Sequence, residues 1–200
     1  MKRLPFHLSA VAAAMALLPT AALAHTGVGD TAGFSHGFLH PLTGIDHILA
    51  MMMVGVFAWQ LGGRALWLVP ITFVLVMALG GALGVAGVDV PFVETGIALS
   101  VIVLGAVVAF RVKAPVAIAM ALVGLFAIFH GHAHGSEMPE NAAGMAYGLG
   151  FMLATALLHA GGIGLGFLIG KISEERGPAI VRATGAVSIV AGLALLGGLI

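Results

Sequence analysis

The chain has no cysteine, which excludes disulfides, thiolate metal sites and cysteine nucleophiles. Charge is almost as scarce: Asp, Glu, Lys and Arg make up 8% of the 200 residues, against roughly 25% in a soluble domain. So little charge cannot coat a globule in water. Eight Lys+Arg balance eight Asp+Glu and no basic run occurs, which argues against nucleic acid as a partner. No Gly-x4-Gly-Lys-Ser/Thr phosphate loop is present, so ATP hydrolysis by that route is excluded as well. What the chain has instead is apolar surface, 60% hydrophobic residues with a mean hydropathy of +1.15. It also has nine histidines, more than either sign of charge.

Residues 1–24 read as a cleaved secretory signal. Lys2 and Arg3 open it, an apolar stretch runs from Leu8 to Leu18, Pro19 interrupts, and Ala22-Leu23-Ala24 fits small-x-small cleavage. The apolar stretch is short of the ~20 residues that a membrane span needs. The mature chain then begins at His25, outside the cytoplasm, and residues 25–200 form one transmembrane domain.

Six apolar segments follow, at approximately 42–61, 66–86, 92–110, 114–131, 143–170 and 178–199. Backbone groups inside a bilayer must be paired within their own segment, and the runs lack the alternation of barrel strands, so helices are expected. The expected fold is therefore all-α, a polytopic membrane protein with six transmembrane helices. Charge placement gives an orientation. Loops one, three and five hold Arg64, Arg111, Lys113, Lys171, Arg176 and Arg182, whereas loops two and four and the mature tail hold no Lys or Arg. By the positive-inside rule the first set is cytoplasmic and the mature N-terminus periplasmic, in a bacterial inner membrane. Glycines at four-residue spacing (Gly80/Gly84, Gly144/Gly148, Gly162/Gly166/Gly170) point to closely packed helices.

Ionisable residues within a bilayer are expensive and functional by default. Here they gather on the outer side. One group is His36, then His40 with Asp46-His47 at the start of the first span. Pro41 suits a first helical position, and His40 and His47 share a face if the helix reaches back that far. The other is Phe129-His130-Gly131-His132-Ala133-His134-Gly135-Ser136-Glu137, where the fourth span emerges. There His130 and His134 share a face if the helix persists, and the glycines beside His132 offer a bend. Glu94 opens the third span on the same side. Thr155 and His159 share a deeper face of the fifth, where His159 reads as an exit-side ligand or as displaced by a bend at Gly161-Gly162. His7, His25, Asp89 and Glu140 read as ordinary interfacial or solvated residues, and Met51-Met52-Met53 as packing.

Imidazole and carboxylate without thiolate suit a borderline divalent ion such as Ni, Co or Zn, whereas calcium or magnesium would want oxygen almost exclusively. The candidate metal ligands are His40, Asp46, His47, Glu94, His130, His134 and Glu137, with His36, His132 and His159 as secondary candidates. No prosthetic group is expected.

These residues resemble the HupE/UreJ family of nickel and cobalt permeases associated with hydrogenase and urease maturation. The family's His-x5-Asp-His motif stands here as His40…Asp46-His47. Its Phe-His-Gly-x-Ala-His-Gly-x-Glu motif stands as Phe129 to Glu137, with His132 at the variable position. Val93-Glu94-x-x-Ile97-Ala98-x-Ser100-Val101 and Leu158-His159 are similar too. The resemblance spans essentially the whole mature chain. It implies secondary uptake of Ni²⁺ or Co²⁺ across the cytoplasmic membrane, with the divalent ion and the lipid bilayer as partners and a homo-oligomer left open. It carries His40, Asp46, His47, His134 and Glu137 over as site residues first, then Glu94 and His130.

An inward divalent cation gains ~2.3 kcal/mol per charge per 100 mV. For two charges that is about 4.6 kcal/mol, or roughly 2,000-fold accumulation, so uniport suffices and proton coupling is not required. Histidine ligates as the neutral imidazole, so uptake is expected to weaken below pH ~6. An intramembrane zinc hydrolase, with three His ligands and a carboxylate base, is the alternative that the ligand inventory allows. A metal sensor would need an output domain that the chain does not offer.

Overall fold

The computed structural model describes residues 33–138, 142–172 and 176–200. The signal segment 1–24, His25, Asp30 and Glu140 lie outside them. The described residues form seven α-helices and no strand: α1 (Phe34–Thr43), α2 (Ile45–Leu61), α3 (Ala65–Val85), α4 (Val93–Ala109), α5 (Val116–Ser136), α6 (Ala142–Ile172) and α7 (Gly177–Leu196). The chain is an all-helical, multi-pass membrane protein. α3, α5, α6 and α7 are each long and apolar enough to cross a bilayer, and α1 with α2 makes a fifth candidate if the bent pair is one span. α4 has 17 residues, about 25 Å at 1.5 Å each, which falls short of a ~30 Å hydrocarbon core. Length and composition thus give four to five spans.

The helix expected over 42–61 starts only at Ile45, and a separate helix, Phe34–Thr43, precedes it at a bend of 82°. The local chemistry explains the break. Pro41 lies in the last turn of α1 rather than at a first helical position, and it has no N–H to continue the ladder. The Thr43 hydroxyl donates to the His40 carbonyl at 2.8 Å, and Gly44 leaves the helix with ψ 121°. His40 and His47 therefore do not share a helical face. They meet because the bend folds α1 back over the start of α2.

α5 is straighter than its glycines suggest. It runs unbroken from Val116 to Ser136 through the whole histidine motif, so Gly131 and Gly135 do not bend it. Their role is close approach. A Cβ on Gly131 would collide with the Met77 carbonyl of α3, and one on Gly135 would lie 2.7 Å from the Gly81 Cα. α6 likewise continues through Gly161-Gly162. A Cβ on Gly55 of α2 would strike the His159 carbonyl, and one on Gly162 would strike Met52.

These crossings fix the helix directions. Successive contacts advance together along α3 and α5 (Gly80 against Ile128, Gly84 against Gly135) and along α2 and α6 (Gly55 against Gly162, Trp59 against Gly166), so each pair is parallel. α4 and α7 run antiparallel, with Gly105 against Gly185 and Ile102 against Gly192. The core gathers α2 (Met51, Val54, Phe57), α3 (Val69, Phe73, Met77), α4 (Val101, Leu104) and α5 (Val123, Ala127). Large apolar residues also cover the outside, and α6 separates its two sides clearly. Met145, Leu149, Leu153 and Leu157 are exposed, while Tyr147, Phe151, Thr155 and His159 are buried. A lipid-facing stripe and an inward stripe thus share one helix, each repeating every fourth residue.

Candidate metal centre

The directions just described bring the N-terminal ends of α2, α4 and α6 to the C-terminal ends of α3 and α5, and the histidines collect there. His47 (4% exposed), His130 (0%) and His134 (8%) are buried. His40 is half-buried on α1, and His36 is exposed one turn earlier. The imidazoles form a continuous cluster. Ring centroids lie 6.4 Å apart for His36–His40, 4.6 Å for His40–His134, 4.7 Å for His47–His134 and 5.0 Å for His47–His130.

Hydrogen bonds orient these rings. Asp46 Oδ1 accepts from His47 Nδ1 at 2.9 Å, which leaves the Nε2 lone pair pointing away. That Nε2 lies 2.7 Å from His134 Nε2. A carboxylate holding the far nitrogen of an imidazole is the usual arrangement behind a metal-ligating histidine. His134 Nε2–H is the donor in that bond. Two nitrogens on one tetrahedral ion, each at about 2.0–2.1 Å, stand roughly 3.3 Å apart, so to share an ion this pair would open by about 0.6 Å and the His134 proton would move to Nδ1.

His130 is oriented by a hydroxyl. Ser100 Oγ donates its one hydrogen to the Ile97 carbonyl at 2.6 Å and lies 2.9 Å from His130 Nε2. With the hydroxyl hydrogen committed, His130 Nε2–H must donate, and its Nδ1 carries a lone pair. That Nδ1 is buried with no hydrogen-bond partner, as is Nδ1 of His134. An unmet buried polar group costs about 1–3 kcal/mol. Lone pairs kept unmet beside a carboxylate are suited to receive a cation.

Toward the surface, a pocket of about 160 Å³ is lined by Val93, Glu94, His132, Ala133, His134, Ser136 and Glu137. His134 is thus shared between the pocket and the imidazole cluster. Glu94 and Glu137 are exposed, so the pocket presents carboxylates before the buried imidazoles. His132 Nε2 donates to the Val88 carbonyl at 2.7 Å, which ties the α3–α4 loop to α5. Among the described residues, no three His, Asp or Glu side chains already stand as a closed ligand cage; the nearest approach is the His47–His134 pair.

Of the ten residues singled out from the sequence, five (His40, Asp46, His47, His130 and His134) come together in the cluster. Glu94, His132 and Glu137 line the pocket beside it, and His36 flanks the outer end. His159 stands apart, buried in the core. Sequence reasoning missed four contributors: Ser100 as the acceptor for His130, and the rings of Phe73, Tyr147 and Phe151. Phe151 lies 4.5 Å from His134 and 5.7 Å from His47 between ring centroids, and Tyr147 lies 5.9 Å from His36. A signal existed for Tyr147, the single tyrosine of the chain, and for its four-residue repeat with Phe151.

The family model described as "HupE / UreJ protein" matches residues 13–195. The chain is 47% identical over 192 residues to "Protein HupE" of Rhizobium leguminosarum bv. viciae, covering 95% of this chain and 98% of that relative. No solved structure matches.

Proposed function

The chain belongs to the HupE / UreJ family, and we propose that it is a secondary transporter that takes up Ni²⁺ or Co²⁺ across the cytoplasmic membrane for hydrogenase or urease maturation. The observation that carries this reading is the Asp46–His47–His134 arrangement. A carboxylate sets one imidazole's tautomer, and that ring's free nitrogen faces a second imidazole on another helix. Such a site binds a borderline divalent cation and rejects hard ions.

The six-span topology belongs to the same reading. In six alternating crossings α2, α4 and α6 run one way and α3, α5 and α7 the other. The parallel α2/α6 and α3/α5 pairs and the antiparallel α4/α7 pair all agree with that pattern. With the mature N-terminus periplasmic, the pocket opens outward, so Glu94 and Glu137 attract the hydrated cation electrostatically. His36 and His40 receive it, and His47, His134 and His130 replace its water. Entry down the membrane potential supplies the driving force.

The test is accumulation of radioactive nickel by cells lacking other nickel importers, comparing wild type with His47→Ala. The expected outcome is accumulation in the wild type that falls to background in the variant. Accumulation independent of His47 contradicts the proposal.

A further inference from the structure

His159 is not used by the outer cluster, yet it is among the most buried polar side chains of the protein. It is 1% exposed, and neither of its ring nitrogens has a hydrogen-bond partner. A neutral imidazole always carries one N–H and one lone pair, so both a donor and an acceptor are held unmet in an apolar interior. Packing does not require this, because an apolar side chain of similar size would fill the same space without an unmet group. The position is also rigid. The His159 carbonyl lies where α2 and α6 cross through Gly55 and Gly162.

The surroundings are not uniformly apolar. His159 and Thr155 stand one turn apart on the inward stripe of α6, and they oppose Phe73 and Met77, one turn apart on α3. Thr155 Oγ1 lies 3.8 Å from Met77 Sδ, and the His159 and Phe73 ring centroids are 5.1 Å apart. The Phe73 ring also faces His130, at 5.8 Å between centroids. Depth follows from the helix rise. His130 lies six residues, about 9 Å, from the end of α5 at Ser136, and Phe73 lies twelve residues, about 18 Å, from the end of α3 at Val85. One phenyl ring thus touches the deepest imidazole of the outer cluster and the isolated imidazole beyond it.

We propose that His159, with Thr155 and Met77, forms a second, deeper binding station for the transported divalent ion, with the Phe73 ring between His159 and His130. The imidazole, hydroxyl and thioether there include no carboxylate. An ion at this station is held by fewer charged groups than at Asp46–His47–His134, so it binds more weakly and is released onward more readily. Movement of the Phe73 ring would connect the two stations. This inference rests on the transport reading, and its test separates the two.

The test counts Ni²⁺ bound per chain by equilibrium dialysis of the full chain in lipid nanodiscs, for wild type, His159→Ala and His159→Gln. The glutamine keeps a buried polar group without the imidazole. Two ions in the wild type and one in each variant are expected, the retained ion binding within about twofold of the tighter wild-type affinity, which also shows that the variants fold. One ion in the wild type, two in either variant, or none in both variants overturns the deeper station and leaves the outer site standing. No ion in the wild type overturns the transport reading as well. In uptake, His159→Ala is expected to lower the maximal rate more than tenfold with the half-saturating nickel concentration unchanged, whereas His134→Ala raises that concentration. An unchanged rate, or a raised half-saturation, in His159→Ala contradicts a separate deeper station.

Discussion

At the residue scale, the imidazoles of the outer cluster are oriented by neighbouring side-chain oxygens. Asp46 fixes the His47 tautomer through a 2.9 Å contact, and Ser100 does the same for His130. Loss of such an orienting partner typically weakens metal affinity 10–100-fold. Asp46→Asn is therefore expected to weaken Ni²⁺ binding by that factor, measured by calorimetry on the purified protein, and Ser100→Ala to act in the same direction; unchanged affinity in Asp46→Asn would refute its orienting role. Gly44 makes a sharper case. Its backbone angles suit any residue, but a Cβ there would lie 2.7 Å from Asp46 Oδ1 and 3.0 Å from His47 Nδ1. Gly44→Ala is expected to break that pair and reproduce the Asp46→Asn loss without removing any ligand. The clustering residues were legible in the sequence because histidine and carboxylate are rare in apolar spans. Ser100 was not, since nothing in its spacing says that its hydroxyl hydrogen is already committed to Ile97.

At the element scale, two helices behaved differently from their sequence patterns, for opposite reasons. Around Pro41 and Gly44 the apolar run suggested continuity, but a missing N–H and a competing threonine hydroxyl end α1 and turn the chain by 82°. Around Gly131 and Gly135 the glycines suggested a bend, but they serve the contact with α3 and the helix stays straight enough to pass from Val116 to Ser136. Local sequence cannot tell a glycine that bends from one that packs, because the partner helix is distant in the chain. Gly135→Ala is expected to destabilise the α3–α5 pair by about 1–3 kcal/mol, the usual penalty for overpacking. A thermal melt in detergent would read this as a lower midpoint, and an unchanged midpoint would mean that the helices separate without penalty. Since His130 and His134 ride on α5, the proposed nickel binding is expected to weaken in the same variant.

At the scale of the whole molecule, the helical class, most segment positions and the gathering of histidines at one end were readable from hydropathy and charge. Helix direction was not, because it depends on which helices touch. The pairing of α2 with α6 and α3 with α5 brings His47, His130 and His134 to one end of the bundle, and the proposed orientation puts that end outside. The absence of cysteine makes this testable without background. Val88→Cys, in the α3–α4 loop, is expected to react with a membrane-impermeant maleimide added to intact spheroplasts. Val112→Cys, in the α4–α5 loop, is expected to react only after lysis. Both positions are exposed. Labelling of both from the same side would contradict a full crossing by α4.

The central claim is that this bundle moves a divalent cation inward through an imidazole site, and it is tested most directly with the purified chain in proteoliposomes. An inside-negative potassium diffusion potential of ~100 mV is imposed and internal Ni²⁺ is measured over time. The account predicts accumulation approaching roughly 2,000-fold for two charges at that potential, abolished by collapsing the potential and absent with His47→Ala. Vesicles that accumulate no nickel while the same protein binds it, or that load equally well with His47→Ala, would contradict it.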